Sequence, residues 1–159
     1  MTRKRFFELA NKSWVMRLYM LVKLPVAWFA GMQVVSCDEH KTVVRLPYGW
    51  RSQNPFRSVY FAAQCGAAEM STGLMALAQL QERPPMSMLV TKIEAQFFKK
   101  ASEPILFTCD QGKEIAAAIE RALETQEAQQ FVATSTGRLP DGAIASEVKI
   151  TWSFKTKNN

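Results

Sequence analysis

Apolar side chains cover nearly every side of one tract in the middle of the chain. From Ser58 to Gln81 the residues are mostly Ala, Gly, Met, Leu, Cys and aromatics, with Glu69 as the one ionisable carboxylate. A helix apolar all round is normally enclosed by the rest of its domain. Gln64, Glu69, Ser71, Thr72 and Gln79 interrupt the run too often for a membrane span. Asn54 predicts an N-cap, Pro55 a first-turn proline and Ser58 a second cap. Glu82-Arg83-Pro84-Pro85 predicts the end, because proline cannot continue a helix and restricts the residue before it. The tract of about 24 residues would be about 36 Å long. Its small residues (Ala62, Ala63, Gly66, Ala67, Ala68, Gly73, Ala76, Ala78) let another backbone come close, as a sheet wrapped around the helix would require.

The flanking patterns are shorter. Over residues 3–23, Phe6, Phe7, Leu9, Ala10, Trp14, Val15, Leu18, Leu21 and Val22 recur at three- and four-residue steps, predicting one amphipathic helix. Its charged positions break up any secretory-type apolar run. Met20–Val35 is apolar apart from Lys23 and Gln33, and Pro25 and Gly31 divide it into a helix end, a buried turn and a strand start. The preferred role for this N-terminal part is a lid on the sheet; attachment to a membrane surface is the alternative. Gly31–Cys37 and Lys41–Pro47 predict two strands, with His40, the only histidine, in the polar turn between them. After the central tract come strands at Met88–Lys100 and Pro104–Asp110, a helix at Gln111–Gln126 serving as a surface connector, and strands at Glu127–Leu139 and Ala143–Lys155. In the last strand Val148, Ile150, Trp152 and Phe154 alternate with polar residues, the mark of one buried and one wet face. Asn158 and Asn159 form a short tail. The outline is α+β: five or six antiparallel strands around one long apolar helix, with an extra N-terminal helix. One domain over 1–159 is expected, with 1–29 as the N-terminal helix and turn and 30–156 as the core.

Composition adds a charge asymmetry. The formal charge of +6 is concentrated in residues 1–60, where ten Lys/Arg face Glu8, Asp38 and Glu39. Such a basic half suits a phosphate-bearing ligand or an anionic surface; with no nucleic-acid motif present, nucleic acid is not an expected partner. Cys37, Cys65 and Cys109 are far apart and odd in number, so they imply neither a disulfide framework nor a metal site, but buried thiols in a reducing, cytoplasmic compartment. Glu69 has two readings: a solvated carboxylate at a helix edge, or a buried acid whose pKa rises because desolvation disfavours its charged form.

The order of these elements resembles the hot-dog fold, a curved antiparallel sheet wrapped around a long helix, over roughly residues 30–156. In particular the chain is similar to the uncharacterised thioesterase-like branch of the acyl-CoA thioesterase superfamily. Asn54…Ser58-Val59-Tyr60…Ala68-Glu69, Phe97-Phe98-Lys99-Lys100-Ala101 and the closing strands around Asp141-Gly142 carry the likeness. In the phenylacetate-type members, a loop Asn is followed six residues later by His-Gly-Gly, with an acid nine residues beyond the His. Here the same offsets fall on Asn54, Tyr60-Phe61-Ala62 and Glu69, so the Asn and the acid match while the His and both glycines are replaced.

The resemblance implies thioester hydrolysis without a cofactor. Glu69 would act as general base or nucleophile, and backbone N–H groups around Tyr60 and Phe61, near Ser58, would face the oxyanion. Asn54 would orient the carbonyl or the water. Phe61, where glycine would let a substrate approach the backbone, would obstruct or reshape the acyl pocket. Tyr60 would donate a hydrogen bond in place of the His, or simply pack. Arg51, Arg57, Lys99 and Lys100 are candidates for coenzyme A phosphates, and Met70, Leu74, Met75, Met88 and Phe97 for an acyl tunnel or for plain core. An acyl-CoA or acyl-carrier substrate and a homodimer or dimer of dimers are the implied partners. The alternative function is a non-catalytic hot-dog module that binds acyl groups or a protein partner. A dehydratase of the same fold ranks last, because the only histidine lies in an unrelated turn.

Overall fold

The computed structural model describes residues 1–157; the tail residues Asn158 and Asn159 lie outside the described residues. The elements, in chain order, are α1 (Arg3–Ala10), α2 (Ser13–Lys23), α3 (Pro25–Ala30), β1 (Gln33–Cys37), β2 (Thr42–Leu46), α4 (Phe61–Leu80), β3 (Met86–Phe97), β4 (Ile105–Cys109), α5 (Gly112–Thr125), β5 (Gln129–Arg138) and β6 (Ile144–Thr156). All six strands join one antiparallel sheet in the order β1-β2-β4-β5-β6-β3. The sheet packs around α4, the hot-dog arrangement. Val44, Leu46, Ile105, Phe107, Val148, Ile150 and Phe154 are fully enclosed against the helix. Small residues set the spacing: a Cβ on Gly66 would stand 3.3 Å from Met32 Cε, and one on Gly73 3.3 Å from the Trp152 ring.

The central helix starts later than the capping signals predict. Asn54, Pro55 and Ser58 do not begin it; α4 opens at Phe61 behind Tyr60, with no side-chain cap, and its 20 residues measure about 30 Å rather than 36 Å. The Asn54 carbonyl accepts from Arg57 N–H, and the Asn54 side-chain oxygen takes three local donors, so the Asn-Pro pair closes a turn instead. Turn chemistry and N-cap chemistry use the same residues, and only the tertiary setting separates them.

The N-terminal segment also departs from a single helix over 3–23. Asn11 ends α1 and bridges to the first strand: its amide donates to Phe7 O and Cys37 O, and its oxygen accepts from Cys37 N–H. Pro25 and Gly31, expected to divide this stretch into a helix end, a buried turn and a strand start, bound α3 instead. Proline stands in the first turn, and Gly31 at φ 76° provides the left-handed C-terminal residue. The inserted α5 is more than a surface connector, since Ile115, Ala118, Ile119 and Ala122 are fully buried against α4, β5 and β6.

Strand β3 is the exception to the closed core. It is an edge strand, and none of its 12 residues is buried. Ile93, Ala95 and Phe97 pair across β6 with Ile150, Val148 and Ser146, so they share the face that packs on α4. Yet Ile93 and Phe97 stay about half exposed.

Candidate functional site

The segment before α4 is held by short backbone contacts. Val59 N–H donates to Ala101 O, Tyr60 N–H to Ser52 O at 2.7 Å, and Gln53 and Val59 form a bridge that closes the Asn54 turn. Asn54 Oδ1 accepts from Phe56 N–H, Ser58 N–H and Ser58 Oγ–H at 3.0–3.2 Å. Its Oδ1 is therefore fully engaged, whereas its Nδ2 donates to no side chain or backbone among the described residues. The Tyr60 N–H is spent on Ser52, which removes it from the oxyanion donors expected there. With α4 uncapped, the N–H groups of Phe61, Ala62 and Ala63 are the open donors at the positive end of the helix dipole.

Beside this helix start lies a cleft of about 300 Å³ lined by Asn54, Ser58, Val59, Phe61, Gln64, Phe97, Phe98, Lys99, Lys100 and Ala101. It thus gathers six of the sequence candidates: Asn54, Ser58, Phe61, Phe97, Lys99 and Lys100. Phe61 lies edge-on to Phe97 (centroids 6.5 Å apart) and to Tyr60 (4.8 Å), so its ring forms part of the wall. Lys99 is paired with Asp141 at 2.9 Å, while Lys100 is in no ion pair among the described residues. Arg51 is placed elsewhere, against Gly31, and Arg57 occupies an exposed turn position at φ 58°. Neither lines this cleft.

Glu69 stands farther along the helix, on its least covered stripe with Ala62, Cys65 and Gly66. It is half-buried, and burial pushes its carboxyl above the usual carboxylate range. No cation or hydrogen-bond donor among the described residues reaches the carboxylate. Oε1 is directed toward Gly73, one turn onward, where a Cβ would approach it to 3.3 Å. The same missing Cβ admits the Trp152 ring, whose Nε1 donates to Thr72 Oγ1 at 3.0 Å. Glu69 thus sits between α4 and the β6–β3 side of the sheet. Trp152 and Gly73 were legible only as core positions; their part in shaping this niche depends on the sheet register.

The axial distance matters chemically. Eight residues separate Phe61 from Glu69, about 12 Å of helix rise, and the carboxylate is turned away from the helix start. One thioester carbonyl cannot contact both groups of the same chain. The expected acyl tunnel is likewise divided: Met70, Leu74 and Met75 are core, Met88 is half-buried and Phe97 lines the cleft. His40 lies in an exposed turn, its backbone N–H bonded to Asp38. Cys37 and Cys109 are buried and Cys65 half-buried; burial pushes the Cys109 thiol up to about 11. Among the described residues no three His, Cys, Asp or Glu side chains group as metal ligands, and no helix is long and apolar enough to cross a membrane.

Comparison with known proteins agrees on architecture. A family described as "Domain of unknown function (DUF4442)" matches residues 12–154. Among curated proteins none matches the chain in sequence. Solved structures do match in fold. A protein of unknown function from Chlorobaculum tepidum shares 14% identity with a TM-score of 0.76, covering 98% of this chain and 94% of that one. A Pseudomonas aeruginosa protein described as a "Probable Thioesterase" shares 12% identity at TM-score 0.71, with 99% and 97% coverage. A thioesterase from Haemophilus influenzae shares 14% identity at TM-score 0.62, with 87% and 88% coverage.

Proposed function

The chain belongs to the DUF4442 family, and from that premise we propose that it hydrolyses acyl thioesters, with Glu69 as the catalytic carboxylate. One observation carries the reading: an acid with no charged partner is half-buried in an apolar niche on the central helix, its pKa raised by desolvation. A carboxyl tuned upward is a better proton acceptor near neutral pH than an ordinary one. In the proposed reaction, a water oxygen attacks the thioester carbonyl while Glu69 takes the water proton. The C–S bond then breaks, and the departing thiolate recovers that proton. Asn54 Nδ2 and the open N–H groups of Phe61 and Ala62 would hold the carbonyl oxygen as it becomes negative. Lys100, with Lys99 beside it, would meet the anionic part of a carrier such as coenzyme A.

The 12 Å separation sets the assembly this mechanism needs. A helix start from one protomer and Glu69 from another can converge only across a two-fold axis. Strand β3 offers the surface for it: a long edge strand with unpaired backbone groups and half-exposed Ile93 and Phe97 on the helix-facing side. We therefore propose a homodimer joined along β3, with composite sites.

Exposed Phe61, beside Tyr60, favours a second reading, in which the cleft holds an acyl group without turning it over. Turnover of an acyl-CoA panel by the wild-type chain and by Glu69→Gln decides between them. Hydrolysis lost in the variant supports catalysis; equal rates in both would refute the role of Glu69. Retained acyl-CoA with no turnover by either would establish the binding module.

A further inference from the structure

The outer surface of α2 and α3 is apolar and uncovered. Met16 and Met20 turn inward, which leaves Trp14, Leu18 and Val22 along the opposite side of α2. Val26 and Phe29 of α3, the next helix, are exposed as well, and the loop residue Trp50 stacks edge-on against Phe29 at 5.7 Å. Exposure reaches 69% for Trp14, 80% for Val26 and 74% for Trp50, high values for such side chains in one patch. We infer that α2, α3 and the Trp50 loop form a docking surface for an anionic lipid bilayer, with Arg17 and Arg51 placed to take a lipid phosphate.

Charge complementarity selects this occupant. Between residues 9 and 68 the only acidic residues are Asp38 and Glu39, against Lys12, Arg17, Lys23, Lys41, Arg45, Arg51 and Arg57. Beside the patch, Arg17 and Arg51 line a pocket of about 40 Å³ with Trp28, Gly31 and Gln33, and no acid lines it. Neither arginine forms an ion pair among the described residues. The Arg51 guanidinium lies so close to Gly31 that a Cβ there would meet Nη2 at 3.0 Å, and Gly31 is independently held at φ 76°. An apolar helical face carrying Trp, Leu and Phe with basic residues at its margin is the composition of helices that lie in the bilayer interface. A second copy is a poorer fit. A two-fold contact through this patch would set each basic margin against its own copy. The inward side of α2 packs on β1, at the opposite end of the sheet from β3, so a dimer joined along β3 leaves the patch free.

Co-sedimentation of the full chain with vesicles tests the inference, using phosphatidylcholine alone and phosphatidylcholine mixed with phosphatidylglycerol. Binding is expected to the mixed vesicles only and to weaken with salt. Arg17→Gln combined with Arg51→Gln should lower the partition about thirtyfold, at about tenfold per 1.4 kcal/mol and about 1 kcal/mol per basic residue near the surface. Trp14→Ser combined with Val26→Ser should abolish it. Equal partition onto both vesicle types, absence of binding, or variants that bind like the wild type would each overturn the proposal. So would a smaller oligomer of Trp14→Ser/Val26→Ser in analytical ultracentrifugation, which would assign the patch to a contact between copies. Thioester hydrolysis is not a readout here, so this result stands apart from the fate of the Glu69 mechanism.

Discussion

Mixing two inactive variants tests whether the two halves of the site come from different protomers. Glu69→Gln removes the carboxylate, a loss of about 10²–10⁴-fold in rate. Asn54→Asp keeps the oxygen that accepts from Phe56, Ser58 N–H and Ser58 Oγ–H, but replaces the free Nδ2 donor, a loss of about 10²–10³-fold. Each homodimer should therefore run at roughly one hundredth of the wild-type rate or less. After subunit exchange at equal ratio, about half of the dimers are mixed. Because the helix start and Glu69 of one protomer are about 12 Å apart along the axis, a working site would draw one group from each chain. Every mixed dimer then contains one site with both native residues and one with neither, so the mixture should recover about one quarter of the wild-type rate. Steady-state hydrolysis of an acyl-CoA, with exchange followed by native mass spectrometry of a tagged partner, is the assay. A mixture that exchanges fully yet stays at the parental rate would refute the composite site, as would a wild-type chain that is active and monomeric.

Two further outcomes follow from the same packing. The Glu69 carboxyl binds its proton more tightly in the folded than in the unfolded chain, so the folded state holds more protons between the two pKa values, and stability falls as pH rises through that window. Glu69→Gln should remove this fall and unfold at higher denaturant concentration at neutral pH; chemical denaturation from acid to neutral pH checks it, and an unchanged pH dependence would contradict the burial argument. At Gly137, an added Cβ would stand 2.6 Å from Phe107 Cε1 and 3.0 Å from Ile105 Cγ2, both fully buried. Gly137→Ala should therefore cost about 1–3 kcal/mol, lowering the thermal midpoint by roughly 2–12 °C in calorimetry; an unmoved midpoint would show that this layer yields more easily than its packing implies.

The amino-acid sequence alone specifies the architecture, because periodicity and turn chemistry are local. Its apolar tract around Glu69, the alternation of Val148, Ile150, Trp152 and Phe154, and the two prolines after Arg83 place a buried helix inside an antiparallel sheet without reference to distant contacts. It also singled out the acid, since one carboxylate in such a tract is conspicuous. What it left undecided were choices that depend on partners remote in sequence. Asn54 is equally suited to a cap and a turn, and the Ser52 and Ala101 carbonyls that hold the preceding segment settle it as a turn. The helix over 3–23 is divided at Asn11 because Cys37, 26 positions away, offers its backbone there. The eight-residue spacing of Glu69 from the helix start is in the sequence, but the direction of its carboxylate, toward Gly73 and the Trp152 ring, is not. Local chemistry fixes which segments are helix or strand; sheet register and side-chain direction, which are properties of the folded whole, decide which groups can meet a substrate together.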